Sequence, residues 1–481
     1  MSELQDKLYE LRQCSSSSVS CLTTSSSIPY DQLLDRALKA AKILDSGKQA
    51  IVSMVLPNSI EYLVTMLACL LAGKIFNPIP YFTSKEELAR IISYVEPSLL
   101  ITDKDDVFWS CDSLTVITPA ELNQQILLSS QNSPDNSPED AVATLYYSSG
   151  TTGSPKGVLY SHQNVFELIK SIVFDFKHTS KTRHFACLPF GHTAAINYNI
   201  LPAFFTQSNL LIAESFMNIA PQFFKILAME KINYVQVVPT IILMLLKLKS
   251  DVRNLDLSHL PYIGVGSSIL PLESQVAFQE QYGIRLANLY GLSETGPSHF
   301  DDPTSKNWKP GSIGVPLSVN ECRLAKDSEI LLKGKNVFCG YYKNESLYRK
   351  VLKDGWFHTG DFGKYENGEF FYLDRKKDLI IKGGINVLPA EIEEFIYRES
   401  RVLEAVVVGV PDSLHGEDIG CAITLRDNAD NPEDVIQSIR AILSQTLSSY
   451  KHPTKFIVLD MMPKTLSGKL KRGDVRKLFA Q

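Results

Sequence analysis

At 481 residues the chain is too long for a single hydrophobic core, so two or more domains are expected. Its hydrophobic (44%) and charged (21%) contents are ordinary for a globular protein, and a net charge of -5 gives no support for nucleic-acid binding. The apolar run Tyr62–Gly73 is too short to span a bilayer, and eight scattered cysteines without a C-x-x-C pair argue for reduced cytoplasmic thiols and against a zinc site.

The start, MSELQDKLYELR, is charged and helix-like and does not read as a secretory signal; the end, Leu478 to Gln481, is not a peroxisomal address. Residues 14–27 are rich in Ser and Thr and read as a loose segment. A helical pattern runs from Tyr30 to Leu44. The run IVSMVL (51–56) reads as a buried strand closed by Pro57, and an apolar helix follows over Ile60–Ala72. The stretch QNSPDNSPED (131–140) is turn-rich and predicts a surface loop. ATLYYSSG then predicts a strand entering a glycine loop. YVQVVP (234–239) predicts a strand leading to a helix over Thr240–Lys249, and PYIGVGSS (261–268) a strand and turn before another helix. This alternation predicts an α/β fold, a mostly parallel sheet covered by helices. From Glu329 to Leu373 the texture changes to short strands with Gly and Asn turns. A smaller α+β unit follows: helix Pro389–Arg398, strand EAVVVGV, helix Pro432–Leu447 and strand KFIVLD. The expected division is an N-terminal domain over 1–373, a charged joint DRKKD at 374–378, and a C-terminal domain over 379–481.

The most informative stretch is Ser148-Ser149-Gly150-Thr151-Thr152-Gly153-Ser154-Pro155-Lys156-Gly157. Glycines let a backbone turn closely around an anion, and exposed N–H groups form a concave nest. Ser148, Ser149, Thr151 and Thr152 add hydroxyl donors, and Lys156 adds a charge. No Gly-Lys-Ser/Thr follows at the spacing of a Walker A loop. A flexible surface loop is the ordinary alternative; the preceding strand and the internal lysine favour triphosphate binding.

This loop resembles the phosphate signature of the adenylate-forming superfamily of acyl-CoA synthetases, coumarate ligases and firefly luciferase. The resemblance continues in that family's order at Tyr290-Gly291-Leu292-Ser293-Glu294-Thr295 and Gly355-Trp356-Phe357-His358-Thr359-Gly360-Asp361. It recurs at Asp374-Arg375-Lys376-Lys377-Asp378 with Gly383-Gly384-Ile385-Asn386-Val387, and at Pro463-Lys464-Thr465-Leu466-Ser467-Gly468-Lys469.

The resemblance implies ATP and AMP contacts from Ser148, Ser149, Gly150, Thr151, Thr152, Gly153, Lys156 and Gly291. Tyr290 would stack on adenine, with Gly266, Ser267 and Ser268 as the opposite wall. Asp361 would accept both ribose hydroxyls and Arg375 would donate to the same sugar. Glu294 would hold Mg²⁺, a hard cation that prefers oxygen ligands. Lys469, Lys156, Glu294 and Ser293 form the implied catalytic set, with Lys469 bridging carboxylate and α-phosphate. Lys377 is the implied hinge, Gly383 and Gly384 the implied coenzyme A contact, and His192, Val238, Gly264 and Gly291 the implied acyl pocket. Read singly, each has an ordinary alternative. Tyr290 could be a packed aromatic, Glu294 an exposed acid, Asp361 a turn residue and His192 a core histidine. Lys377 and Lys469 could be solvated charges, and Gly383-Gly384 only a hairpin turn.

Two departures from the family pattern stand out. The connection Arg323–Glu329 is short, and Gly191 occupies the position before His192 where the family often has an aromatic, which leaves the usual gate over the acyl pocket in doubt. The segment Phe190–Leu201, Val238, Pro239 and residues 264–268 contain no acid, so an apolar fatty or aryl acid without an α-amino group is the expected substrate. The implied reaction is attack of a carboxylate on the α-phosphorus of ATP, release of pyrophosphate, and transfer of the acyl group to the thiol of coenzyme A. An acyl-carrier-protein thiol is the alternative acceptor. A non-catalytic adenylate-binding relative is the alternative from another class, and it would be expected to lack the charged residues seen here.

Overall fold

The computed structural model describes residues 1–44, 50–104, 114–130, 136–148, 156–268, 270–306, 308, 310–426, 431–464 and 470–479. The run at 51–56 forms the strand Ile51–Val55, and Leu99–Thr102 lies beside it in parallel. Both strands are buried at every position, which requires cover on both sheet faces. The apolar helix Ile60–Leu71 supplies part of that cover. The Ser59 side chain starts it by accepting from the Tyr62 N–H at 3.1 Å.

Two helix-covered sheets result. The seven-stranded sheet runs in the order Gly340–Tyr341, Lys156–Ser161, Val142–Ser148, Ile75–Pro78, Ile51–Val55, Leu99–Thr102, Thr115–Ile117. The nine-stranded sheet has a parallel centre: Leu286–Leu292, Ile263–Gly266, Tyr234–Val237, Arg183–Ala186, Asn209–Ile212, Ser18–Cys21. Antiparallel strands close both of its ends.

One expectation fails here. The Ser/Thr-rich segment 14–27 is not loose: Ser18–Cys21 and Ser26–Pro29 form a hairpin at the edge of the nine-stranded sheet. Val19 and Cys21 are buried between half-buried neighbours, a period of two that hydroxyl content obscures in the sequence.

A third, antiparallel sheet is built from Asn320–Leu324, Glu329–Gly334, Leu352–Lys353, Trp356–Glu366 and Glu369–Arg375. The C-terminal unit contains helices Pro389–Ile396 and Pro432–Thr446 and a five-stranded sheet. Its central pair is Val402–Asp412 with Gly416–Leu425. The second of these strands was not read from the sequence, because GEDIGCAITL opens with glycine and two acids. One hydrophobic core gathers residues from Leu4 to Phe370; separate cores gather Ile380 to Leu443 and Val406 to Val475. The fold is thus α/β, a large N-terminal body of helix-covered, mostly parallel sheets with a smaller C-terminal α+β body.

Candidate active site

The site forms where strands of the nine-stranded sheet meet the antiparallel sheet. Strand Ile263–Gly266 ends in Ser267 and Ser268, both exposed, with Ser267 in the left-handed region at φ +74°. A residue carrying Cβ holds that conformation only where its surroundings impose it, which is common at functional sites. The adjacent strand carries Tyr290 and Gly291, and its register shifts between them. Gly291 is required by close approach: a Cβ there would lie 2.1 Å from the Gly296 carbonyl oxygen. Such a bulge re-aims neighbouring side chains. Tyr290 packs beside His299 and Tyr372, and its hydroxyl donates to Asp361 Oδ2 at 2.8 Å.

Asp361 lies on Trp356–Glu366, opposite Arg375 in register. It is 1% exposed. Arg375 Nε lies 3.1 Å from Asp361 Oδ1, yet that oxygen accepts no well-aligned hydrogen bond. Burial raises the Asp361 pKa, outweighing Arg375 and Tyr290, which lower it. A buried carboxylate with one acceptor oxygen to spare suits a ligand that brings hydroxyl donors.

Glu294 sits in the turn after Leu286–Leu292. Its Oε1 accepts from the Tyr341 hydroxyl at 2.8 Å, its carbonyl accepts from Phe338 N–H, and the Tyr160 hydroxyl donates to the Ser293 carbonyl at 2.7 Å. The Glu294 charge acts on both Asp361 and Arg375. Lys377, in the 3₁₀ turn Lys376–Asp378, has its pKa lowered by burial and then by Arg375, with Lys156 adding to the effect. The fold therefore gathers Lys156, Tyr290, Glu294, Asp361, Arg375 and Lys377 from four separate stretches of chain. Lys156 opens its strand directly opposite Ser148. The intervening Ser149, Gly150, Thr151, Thr152 and Gly153 lie outside the described residues, as does Lys469. The segment beyond Lys469 is anchored: Arg472 donates to Glu393 through two nitrogens at 2.6 and 2.8 Å and to the Val407 carbonyl at 2.7 Å.

At the other end of the site, Gly191 and His192 follow the strand Arg183–Ala186. A Cβ on Gly191 would fall 2.4 Å from both N and Cα of Pro80, so this backbone crossing leaves no room for an aromatic there. An aromatic ring arrives instead from the crossing segment, with Phe82 6.3 Å from His192. Val238 caps the helix Pro239–Leu248, and Gly264 faces the Gln236 carboxamide across the sheet. Gly383 and Gly384, at φ +58° and +81°, make the exposed two-residue turn between Ile380–Lys382 and Ile385–Val387.

Residues 12–342 match the model of the AMP-binding enzyme family, and 391–469 match the AMP-binding enzyme C-terminal domain. The chain belongs to the AMP-binding enzyme family. A sulfoacetate–CoA ligase from Cupriavidus necator is 31% identical over 457 residues, covering 90% of this chain and 88% of that enzyme. A long-chain-fatty-acid–CoA ligase from Bacillus subtilis is 34% identical over 359 residues, covering 70% of this chain and 62% of that enzyme. Among solved structures, an ATP-bound RpMatB–BxBclM chimera superposes with a TM-score of 0.90 at 24% identity, covering 99% of this chain and 98% of that one.

Sequence reasoning missed several residues of this AMP-binding enzyme. Tyr341 and Tyr160 pin the Ser293-Glu294 turn from 47 and 133 positions away, Phe82 lies beside His192, and Gln236 lies against Gly264. Long-range side-chain bonds of this kind leave no local pattern in a single sequence.

Proposed function

We propose that the enzyme activates a fatty or aryl carboxylic acid with ATP, forming an acyl-adenylate, and transfers the acyl group to the thiol of coenzyme A. The observation that carries this reading is the Asp361 carboxylate, buried, braced by Tyr290 and Arg375, and left with an acceptor oxygen for a ribose hydroxyl. Beside it, Lys156 and Arg375 offer positive charge, and catalysis of phosphoryl chemistry rests mainly on positioning and charge stabilisation.

In the first half-reaction, a carboxylate oxygen of the acid attacks the α-phosphorus of ATP and pyrophosphate leaves. Lys156 stabilises phosphate charge from the hairpin between the strands of residues 142–161, and Lys469 does so from the C-terminal body. Tyr290 and the Gly266-Ser267-Ser268 turn flank adenine. Glu294 fits a hard cation, since Tyr341 occupies one face of its carboxylate and fixes the orientation of the other. A bound Mg²⁺ would neutralise phosphate charge there. In the second half-reaction, the 379–481 body turns about Lys377 and brings the Gly383-Gly384 turn to the coenzyme A arm. The exposed hairpin and the small separate C-terminal cores support that rotation. No enzyme nucleophile is needed. Among the described residues no helix is long and apolar enough to cross a membrane. The eight scattered cysteines without a C-x-x-C pair support a reducing, cytoplasmic setting.

The test is ATP–pyrophosphate exchange across a panel of fatty, aryl and amino acids, followed by thioester formation with coenzyme A or a carrier-protein thiol. Acid-dependent exchange and a coenzyme A thioester are expected. A carrier-protein thioester in place of the coenzyme A product would reassign the acceptor, and absence of exchange with every acid would overturn the reading.

A further inference from the structure

The turn that presents Asp361 is held from the neighbouring strand by a buried acid. Strand Glu329–Gly334 pairs antiparallel with Trp356–Glu366, with Leu331 opposite His358 and Glu329 opposite Phe362. Between those two pairs the first strand has only Ile330, while the second has Thr359, Gly360 and Asp361. The two surplus residues form a bulge, a device that re-aims a side chain out of the ladder. Here it turns Asp361 toward Tyr290 and Arg375.

Side-chain bonds hold the bulge. The Thr359 hydroxyl donates to the Ile330 carbonyl at 2.7 Å, and the Asp361 N–H donates to the Thr359 oxygen at 3.1 Å. Gly360 stands at φ +70°, and its N–H donates to Glu329 Oε1 at 2.9 Å. Glu329 is 6% exposed. Its Oε2 lies 3.2 Å from His358 Nδ1 and 3.5 Å from Lys376 Nζ, so both oxygens are engaged and the buried charge has partners. Ion pairing alone does not account for the acid. Lys376 is half exposed and sits closer to Asp327, at 2.7 Å, and a pair of that kind contributes little. The shortest bond of the Glu329 carboxylate is the one to Gly360.

We propose, resting on the reading of Asp361 as the ribose acceptor, that Glu329 is a positioning residue for nucleotide binding. Its carboxylate fixes Gly360 in the left-handed region, and that fixes where the next residue, Asp361, carries its spare acceptor oxygen. Glu329 acts through Asp361 and does not itself meet the nucleotide. Misplacing a positioned group by about 1 Å can cost about 10²-fold in rate, so a turn built from surplus residues needs such a clamp. Glycine suits the place, since it takes a positive φ freely and leaves the clamp to choose the conformation.

The experiment titrates AMP calorimetrically into wild type, Glu329→Gln, Glu329→Leu, Asp361→Asn and the Glu329→Leu/Asp361→Asn double variant, with a thermal melt of each. Glutamine keeps an oxygen for the Gly360 N–H and is expected to hold AMP affinity within about threefold of wild type. Leucine leaves that N–H unpaired and is expected to weaken AMP by about tenfold or more. In the Asp361→Asn background the same leucine is expected to cost less than about threefold, because the group it positions has already lost its charge. In ATP–pyrophosphate exchange, Glu329→Leu should raise KM for ATP and leave KM for the acid within about twofold. AMP bound by Glu329→Leu as tightly as by wild type, whatever its thermal midpoint, means a purely structural role and overturns the proposal. So do additive losses in the double variant, and a Glu329→Gln as weak as Glu329→Leu. Should Glu329→Leu not fold, Gly360→Ala carries the test: a Cβ there meets nothing within 4 Å, but the φ of +70° is strained for it. That variant is expected to weaken AMP by at least about fivefold, and unchanged affinity overturns the proposal. None of these results touches the adenylating reading, whereas AMP affinity unchanged in Asp361→Asn removes the ribose contact and this proposal with it.

Discussion

Replacing Asp361 with asparagine separates the binding role of this residue from any structural one. Its carboxylate is almost fully buried, and burial raises its pKa despite Arg375 at 3.1 Å and the Tyr290 hydroxyl at 2.8 Å. Holding the charge in the native state thus opposes folding. An isosteric amide removes that cost and keeps an oxygen for Tyr290, so Asp361→Asn is expected to leave the thermal midpoint unchanged or raise it. Ligand binding should move the other way. A hydrogen bond to a charged acceptor contributes about 1.5–3 kcal/mol. Loss of the charge under a ribose hydroxyl should therefore weaken AMP by roughly 10–150-fold, since 1.4 kcal/mol corresponds to tenfold. The assay is calorimetric titration of AMP into wild type and variant, with a thermal melt of each. AMP affinity within about twofold of wild type would refute the ribose contact. A large drop in thermal midpoint together with lost affinity would refute the argument that the charge is held at a cost.

Lys377→Pro fixes φ at the implied hinge and is expected to preserve pyrophosphate exchange while abolishing thioester formation; an equal loss of both half-reactions would remove the hinge role. Lys469→Ala should lower adenylation by roughly 10²–10³-fold yet leave the reaction of pre-made acyl-adenylate with thiol near normal, as two separate assays would measure. Gly191→Ala drives a methyl into the Pro80 backbone and is expected to cost about 1–3 kcal/mol in denaturant unfolding. Burial pushes the Asp301 carboxyl up to about 7, with Glu369 and Asp302 adding to it. The folded protein therefore keeps a proton that the unfolded chain releases near pH 4. That stabilisation is fully present at lower pH and is lost as pH rises toward 7, at up to about 1.4 kcal/mol per pH unit. Asp301→Asn should flatten this slope in melts recorded across that range.

What the sequence determined by itself was whatever depends on neighbours along the chain. The periodicity of Ile51–Val55 and Ile60–Leu71 specifies a buried strand and an apolar helix, because burial on both faces leaves an uninterrupted apolar run. Glycine and hydroxyl residues ahead of Lys156 predict an anion loop through backbone freedom; residues 149–155 lie outside the described residues. Family membership followed from ordered motifs of this kind. Where local chemistry misleads, as with the hydroxyl-rich edge hairpin at 18–29, pairing with Asn209–Ile212 decided the outcome. Tertiary structure alone decided which distant groups meet: Tyr290 with Asp361, Tyr341 with Glu294, Phe82 with His192. It also showed that Gly191 answers to the Pro80 backbone and Gly264 to the Gln236 amide. A glycine in a sequence says only that a side chain is missing; the fold supplies what occupies the space, and at Gly264 that occupant is a polar group.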